Sequence, residues 1–108
     1  MLIHLPPAID LYVKAENAGD ADALSGCFAS DATVRDEGQI YRGLAAIKEW
    51  KIATKKKYNH TVAPLEVAER DGKTALKAKL TGNFPGSPIV VEFSFVLKDG
   101  KIVSLEIR

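Results

Sequence analysis

The hydrophobic pattern of this chain changes period once, after Tyr58. Upstream, apolar residues recur at helical spacing; downstream they alternate, in four stretches near His60 to Glu69, Lys73 to Thr81, Ile89 to Lys98 and Lys101 to Ile107. Asp71-Gly72 and Asp99-Gly100 lie between consecutive stretches and are the dipeptides that tight hairpin turns select. The second half therefore predicts four antiparallel strands. Pro64 interrupts the first of them, where a bulge or bend is expected because proline offers no ladder donor.

The first half has to supply the cover for that sheet. Pro6 and Pro7 preset the φ of a helix start, after which Ile9, Tyr12, Val13 and Glu16 fall on one helical face and Asn17-Ala-Gly19 ends the run. Asp20 is a good N-cap for a second short helix placing Leu24, Cys27 and Phe28 on one face, with Ser30-Asp31 as its end. Ala32 to Asp36 then alternates as a strand, with Asp36 on the same face as Ala32 and Val34. Glu37-Gly38 makes a turn, Gln39 to Tyr41 returns as a short strand, and Gly43 opens a third helix. That helix carries Leu44, Ile47, Trp50, Thr54 and Tyr58 inward, while Lys48, Lys51, Lys55, Lys56 and Lys57 mostly face water. The order is ααββαββββ, an α+β fold with helices laid on one face of a curved sheet.

The chain has 108 residues, 46% of them hydrophobic, which is the size of one domain, residues 1 to 108. A formal net charge of +1 gives no global field toward nucleic acid or anionic lipid. No apolar run approaches the ~18 residues of a membrane span, and Met1 to Pro7 lacks the basic head and apolar length of a signal peptide. Its one cysteine, Cys27, excludes an internal disulfide and reads as a small buried hydrophobe. A cytoplasmic location is the expectation.

Three blocks, Tyr12-Val-Lys-Ala-Glu-Asn-Ala-Gly-Asp20, Phe28-Ala-Ser-Asp-Ala-Thr-Val-Arg-Asp36 and Arg42-Gly-Leu-Ala-Ala-Ile-Lys-Glu-Trp50, resemble the nuclear transport factor 2-like superfamily. Within it they are similar to the SnoaL-like polyketide cyclases and the ketosteroid isomerases, over essentially the whole chain. The resemblance implies a cystatin-like, cone-shaped fold in which a curved mixed or antiparallel sheet wraps around three helices and one apolar pocket, usually in a homodimer. It also implies a general base at Asp36 and an oxyanion-binding hydroxyl at Tyr12. The chemistry needs both types, a carboxylate to take a proton beside a carbonyl and a donor for the oxygen that becomes negative.

The second oxyanion donor of the isomerases, a protonated aspartate on a later strand, has no counterpart here. Counting back from Gly100-Lys101 matches it to Glu92, whereas matching the alternate aromatics Phe93 and Phe95 puts Val91 there. The second register is preferred, because it keeps Val91, Phe93, Phe95 and Leu97 on one apolar face and Glu92 and Ser94 on the other. A supporting tyrosine of the isomerases' third helix falls at Lys51. Steroid isomerisation itself is not expected.

Substrate-binding candidates are Trp50, Tyr58, His60, Phe84, Val91 and Phe93, with Phe84 a lid in the Gly82 to Pro88 hairpin loop at the cone mouth. Each has a structural alternative: Asp36 can cap a turn or pair with Arg35 or Arg42, Tyr12, Trp50 and Tyr58 can be core, and His60 can be structural. No spacing of His, Asp and Glu resembles a metal-ligand set, and no cofactor is implied. Lys55-Lys-Lys57 complements a helix C-terminus rather than marking a nucleic-acid patch.

Two functional classes stay open. One is an enzyme acting on an apolar carbonyl compound by proton abstraction, isomerase-like or cyclase-like. The other is a non-catalytic domain that binds a small hydrophobic molecule in the same pocket. A third reading is a dimerisation module with its pocket filled by side chains. The outer sheet face, including Val90, Val96 and Ile102, stays partly apolar, which predicts a symmetric homodimer.

Overall fold

The structure of the chain is a computed structural model that describes residues 4–107. Residues 1–3, part of the N-terminal stretch weighed above for a signal peptide, and residue 108 lie outside the described residues. The elements run α1 (Pro7–Ala18), α2 (Ala21–Ser25), β1 (Phe28–Asp36), β2 (Gln39–Arg42), α3 (Gly43–Tyr58), β3 (Thr61–Arg70), β4 (Lys73–Thr81), β5 (Ile89–Lys98) and β6 (Lys101–Ile107). The six strands form one mixed sheet in the order β2-β1-β6-β5-β4-β3, with β1 and β6 parallel and every other pair antiparallel. The fold is α+β, as the period change predicts, and cystatin-like, as the resemblance implies. No helix among the described residues is long and apolar enough to cross a membrane.

Local chemistry explains the ends of these elements. Pro7 stands at the first position of α1, and Gly19 closes the helix in the left-handed region at φ 70°, its N–H bonding back to Glu16. Asp20 caps α2 by accepting from the Ala23 N–H at 3.0 Å. Asp71 and Gly72, and likewise Asp99 and Gly100, both have positive φ, the paired geometry of a tight hairpin turn. The β3–β4 register shifts between Pro64 and Glu66, the bulge that the proline predicts.

Four expectations are corrected. The second helix ends at Ser25, and Phe28 already begins β1, because the Cys27 carbonyl accepts from Ile102 N–H at 2.9 Å and Phe28 pairs with Ile102 across the parallel β1–β6 ladder. Ile102 belongs to the core rather than the outer face. It is fully buried along with Leu105, three residues on, because the β5–β6 register shifts between Val96 and Leu97 and the extra residue on β6 resets the alternation. Leu44, expected inward, is 37% exposed, and Lys51, expected in water, is only 4% exposed. The buried stripe of α3 is therefore Ile47, Trp50 and Lys51.

The core lies between α1 and the concave face of β5 and β6. Tyr12 packs edge-on against Phe28, Phe93 and Phe95, with ring centroids 6.0, 6.1 and 5.5 Å away. Phe93 and Phe95 thus face α1, and Glu92, opposite Lys77 on β4, is only half-buried. Asn17 ties α1 to β3 by bonding both the N–H and the carbonyl of Val62, at 2.7 and 3.0 Å.

Candidate active site

Between α3, the ends of β1 and β5, and the loop after β4 the sheet leaves a cavity of about 300 Å³. It is open rather than filled by side chains. Asp36, Trp50, Tyr58, His60, Phe84 and Phe93, all named from the sequence, line it. Tyr12 and Val91 do not: Tyr12 is fully buried beneath Phe93, and Val91 is half-buried on β5 opposite Ala78. Glu16, Glu37, Lys51 and Thr54 complete the polar part of the wall, and Leu80, Pro85, Ile89 and Ile107 add to its apolar part.

Asp36 is the last residue of β1, held there by pairing with Gln39 across the Glu37–Gly38 turn. Its Oδ2 accepts a hydrogen bond from the Trp50 indole N–H at 3.0 Å, and neither Arg35 nor Arg42 pairs with it. Burial raises its pKa above the ordinary carboxylate value and the Glu37 charge adds to this, outweighing the Trp50 hydrogen bond and the nearby Lys51 cation. The carboxylate has one fixed donor, the Trp50 indole, so it keeps an oxygen lone pair free for a proton.

The other polar group in the wall is a buried cluster that sequence reasoning missed. Lys51 Nζ donates to Glu16 Oε1 at 2.6 Å, with side chains only 5% and 1% exposed, and His60 Nε2 bonds the same oxygen. Burial would push the Glu16 carboxyl up, but the hydrogen bonds and charges of His60 and Lys51 overcome it and hold the pKa down at about 2. Burial lowers the pKa of Lys51, against the pull of Glu16 and Asp36. The Lys51 ammonium also lies 4.1 Å from the Trp50 ring centroid, within cation–π range. Two signals pointed to this pair: Glu16 falls on the stripe of Ile9, Tyr12 and Val13, and Lys51 follows Ile47 by one helical turn.

The Tyr12 hydroxyl is buried without a well-formed hydrogen bond. Burial first, and then the Glu16 charge, raise its pKa well above the usual phenol value. At the mouth, Tyr58 donates from its hydroxyl to Glu37 Oε1 at 3.3 Å and meets Phe84 edge-on at 5.9 Å. Gly82 makes the close approach that seats His60: a Cβ there would lie 2.7 Å from the Tyr58 carbonyl oxygen and 2.8 Å from His60 Cβ. Among the described residues, no group of three His, Cys, Asp or Glu side chains is placed to hold a metal ion.

A SnoaL-like domain model matches residues 9–105. The chain belongs to the SnoaL-like domain family. It is similar, at 43% identity and a TM-score of 0.92 over 96% of this chain and 95% of the other, to a protein from Sinorhizobium meliloti provisionally named a polyketide cyclase. A ketosteroid isomerase-like fold from Catenulispora acidiphila, solved with trimethylamine, matches with a TM-score of 0.85 at 20% identity, over 97% of this chain and 86% of that one. The epoxide hydrolase/cyclase-like enzyme SalBIII of salinomycin pyran-ring formation matches at 0.80 and 22%, over 94% and 86%. At those identities the last two report the fold. Family membership supports a role of the cyclase or isomerase type, and the site's own chemistry has to carry the rest.

Proposed function

We propose that this SnoaL-like domain is a small-molecule enzyme that acts on an apolar carbonyl compound by proton abstraction, with Asp36 as general base. The observation that carries the reading is Asp36 itself, a carboxylate of raised proton affinity in the wall of a mainly apolar cavity, oriented by the Trp50 indole. A base works best when its pKa approaches the working pH, and burial moves Asp36 in that direction. Trp50, Tyr58, Phe84 and Phe93 supply the apolar surface that holds the substrate, and the relative named a polyketide cyclase, 43% identical, fits a carbonyl-bearing substrate. The reaction needs a base and a hydrogen-bond donor, both of which protein side chains provide, so no cofactor is invoked.

Hydrogen–deuterium exchange tests this. In D2O, NMR of small cyclic ketones should show faster loss of the protons beside the carbonyl with the protein than without it, and Asp36→Asn should remove at least about 90% of that acceleration, since a positioned base contributes roughly 10²-fold or more. Exchange unchanged in the variant would overturn the reading. A second reading, a binding domain without chemistry, is favoured by one observation: the Tyr12 hydroxyl expected as oxyanion donor does not line the cavity. Ligand binding without any accelerated exchange is its signature. In either case we infer a homodimer through the outer sheet face, where Val90 is 57% exposed.

A further inference from the structure

With Tyr12 behind the wall, the cavity needs another group to meet a ligand oxygen, and one residue is built for it. Among the described residues that line the cavity, Lys51 is the only lysine or arginine. Its ammonium has three protons, and the hydrogen bond found for it goes to Glu16. Glu16 and Trp50 fix its position from two sides, one by an ion pair and one by a ring face, and the charge of Asp36 reaches it across the cavity wall. His60 is less suited, because its Nε2 is engaged by Glu16 and only Nδ1, which is buried without a partner, remains, whereas Lys51 has two further N–H donors.

We propose that Lys51, rather than Tyr12, donates the hydrogen bond to the oxygen of the bound ligand, and that this oxygen is bound as an anion, an enolate or phenolate, when Asp36 is protonated. The proposal rests on the proton-abstraction reading of the cavity and names the ligand chemistry that the reading leaves open. In the step, Asp36 takes a proton from the carbon beside the carbonyl. The C–H electron pair forms the carbon–carbon double bond of the enolate, and the carbonyl π pair moves onto oxygen beside Lys51. The proton on Asp36 then returns to another carbon in an isomerisation; in an aldol-type cyclisation the enolate carbon bonds to a second carbonyl carbon of the same molecule, whose π pair moves onto its own oxygen and takes the proton from Asp36 as the first carbonyl re-forms. One negative charge leaves Asp36 and appears on the ligand, so the net charge of the cavity is constant and Lys51 faces an anion throughout. Glu16 holds the ammonium in place, which makes it a positioning residue.

The test uses 4-nitrophenol, whose ionised form absorbs in the visible, bound to an Asp36→Asn protein that imitates the protonated base. At a pH one unit below the probe's own pKa, free probe is about one-tenth ionised, and probe bound beside Lys51 should be mostly ionised. Adding Lys51→Met should raise the apparent pKa of the bound probe by at least about one unit, a tenfold loss of phenolate affinity, while nitrobenzene, which carries no ionisable oxygen, binds as before. Because Lys51→Met alone strands Glu16 and can prevent folding, Glu16→Gln/Lys51→Met in the same background is measured beside it. Equal ionisation with and without Lys51, probe bound only as neutral phenol, parallel loss of nitrobenzene binding, or no binding of the probe would each overturn the proposal. Asp36 as base is judged separately, by the exchange experiment on the otherwise unaltered chain.

Discussion

Lys51 and Glu16, 35 residues apart in the sequence and on different helices, form an ion pair at 2.6 Å in a place almost without water. Taking two charges out of water is costly, and the pair recovers that cost only while both members are present. Lys51→Ala is therefore expected to destabilise the fold by about 3–5 kcal/mol, since it leaves a buried carboxylate with His60 alone. The double change Glu16→Gln/Lys51→Met should sit much nearer the parent. Urea melts of the three proteins at neutral pH check this, and a double variant as unstable as the single one would remove the account.

Two of the three carboxylates that line the cavity, Glu16 and Asp36, should give stability opposite pH dependences. Glu16 has its pKa lowered from 4.5 to about 2, so its contribution is fully present above the unfolded value and is lost as pH falls from about 4.5 toward 2. Asp36 has its pKa raised by burial, so folding is favoured with the proton on, and stability falls as pH rises from the unfolded value near 3.8 through the folded one. Asp36→Asn should accordingly melt higher than the parent at pH 7 and lose that advantage below pH 3.8, whereas Glu16→Gln should melt lower at pH 7 and approach the parent in acid. Thermal melts across pH 2.5 to 8 measure both signs. An Asp36→Asn protein less stable than the parent at pH 7 would show that the carboxylate is a structural acceptor for Trp50 and not a poised base.

Much of this site was legible in the sequence because its residues obey local periods. Strand parity puts Asp36 with Ala32 and Val34, and helical spacing puts Trp50 and Tyr58 on the inner side of α3, so both come to the cavity without knowledge of any contact. The unread part is non-local. A charged residue on an apolar stripe has meaning only once its partner is known, and Lys51 acquires its burial from Glu16 and His60 on other elements. Ile102 illustrates the same limit in the sheet: a single extra residue on β6 reverses which side chains face inward, and nothing in the run Lys101 to Ile107 marks where it sits.

Gly82 offers a test of how His60 is held. With 2.7 Å to a backbone oxygen and 2.8 Å to His60 Cβ, an added methyl group has no flexible neighbour to push aside. Gly82→Ala should cost about 1–3 kcal/mol through overpacking and move the first residues of β3 away from the cluster. The effect on Glu16 follows, because His60 is one of the two groups holding its carboxyl down. The variant's further loss of stability on acidification should therefore be smaller than the parent's and complete at a higher pH. Denaturant melts at pH 7 and pH 2.5 read both effects, and a fully stable Gly82→Ala protein would mean that the β4–β5 loop yields without disturbing His60.

The outer face of the sheet carries the remaining prediction. Val90 is 57% exposed, on a strand whose next neighbours along the chain belong to the loop at the cavity mouth. Isolated exposed valines are ordinary, but Val96 on the same alternation of β5 is also only half-buried, so this face of the strand carries a valine toward each end with Glu92 and Ser94 between them. A symmetric pair of chains meeting across this face would bury both valines against their own copies. Sedimentation at micromolar concentration should then give twice the 11.7 kDa chain mass, and Val90→Lys should shift it to the monomer. The substitution puts a charge into the contact without touching the core, so the monomer should keep its fold, with a circular dichroism spectrum like the parent's. A parent that sediments as a monomer would end the dimer reading and leave the cavity, which one chain forms by itself, unaffected.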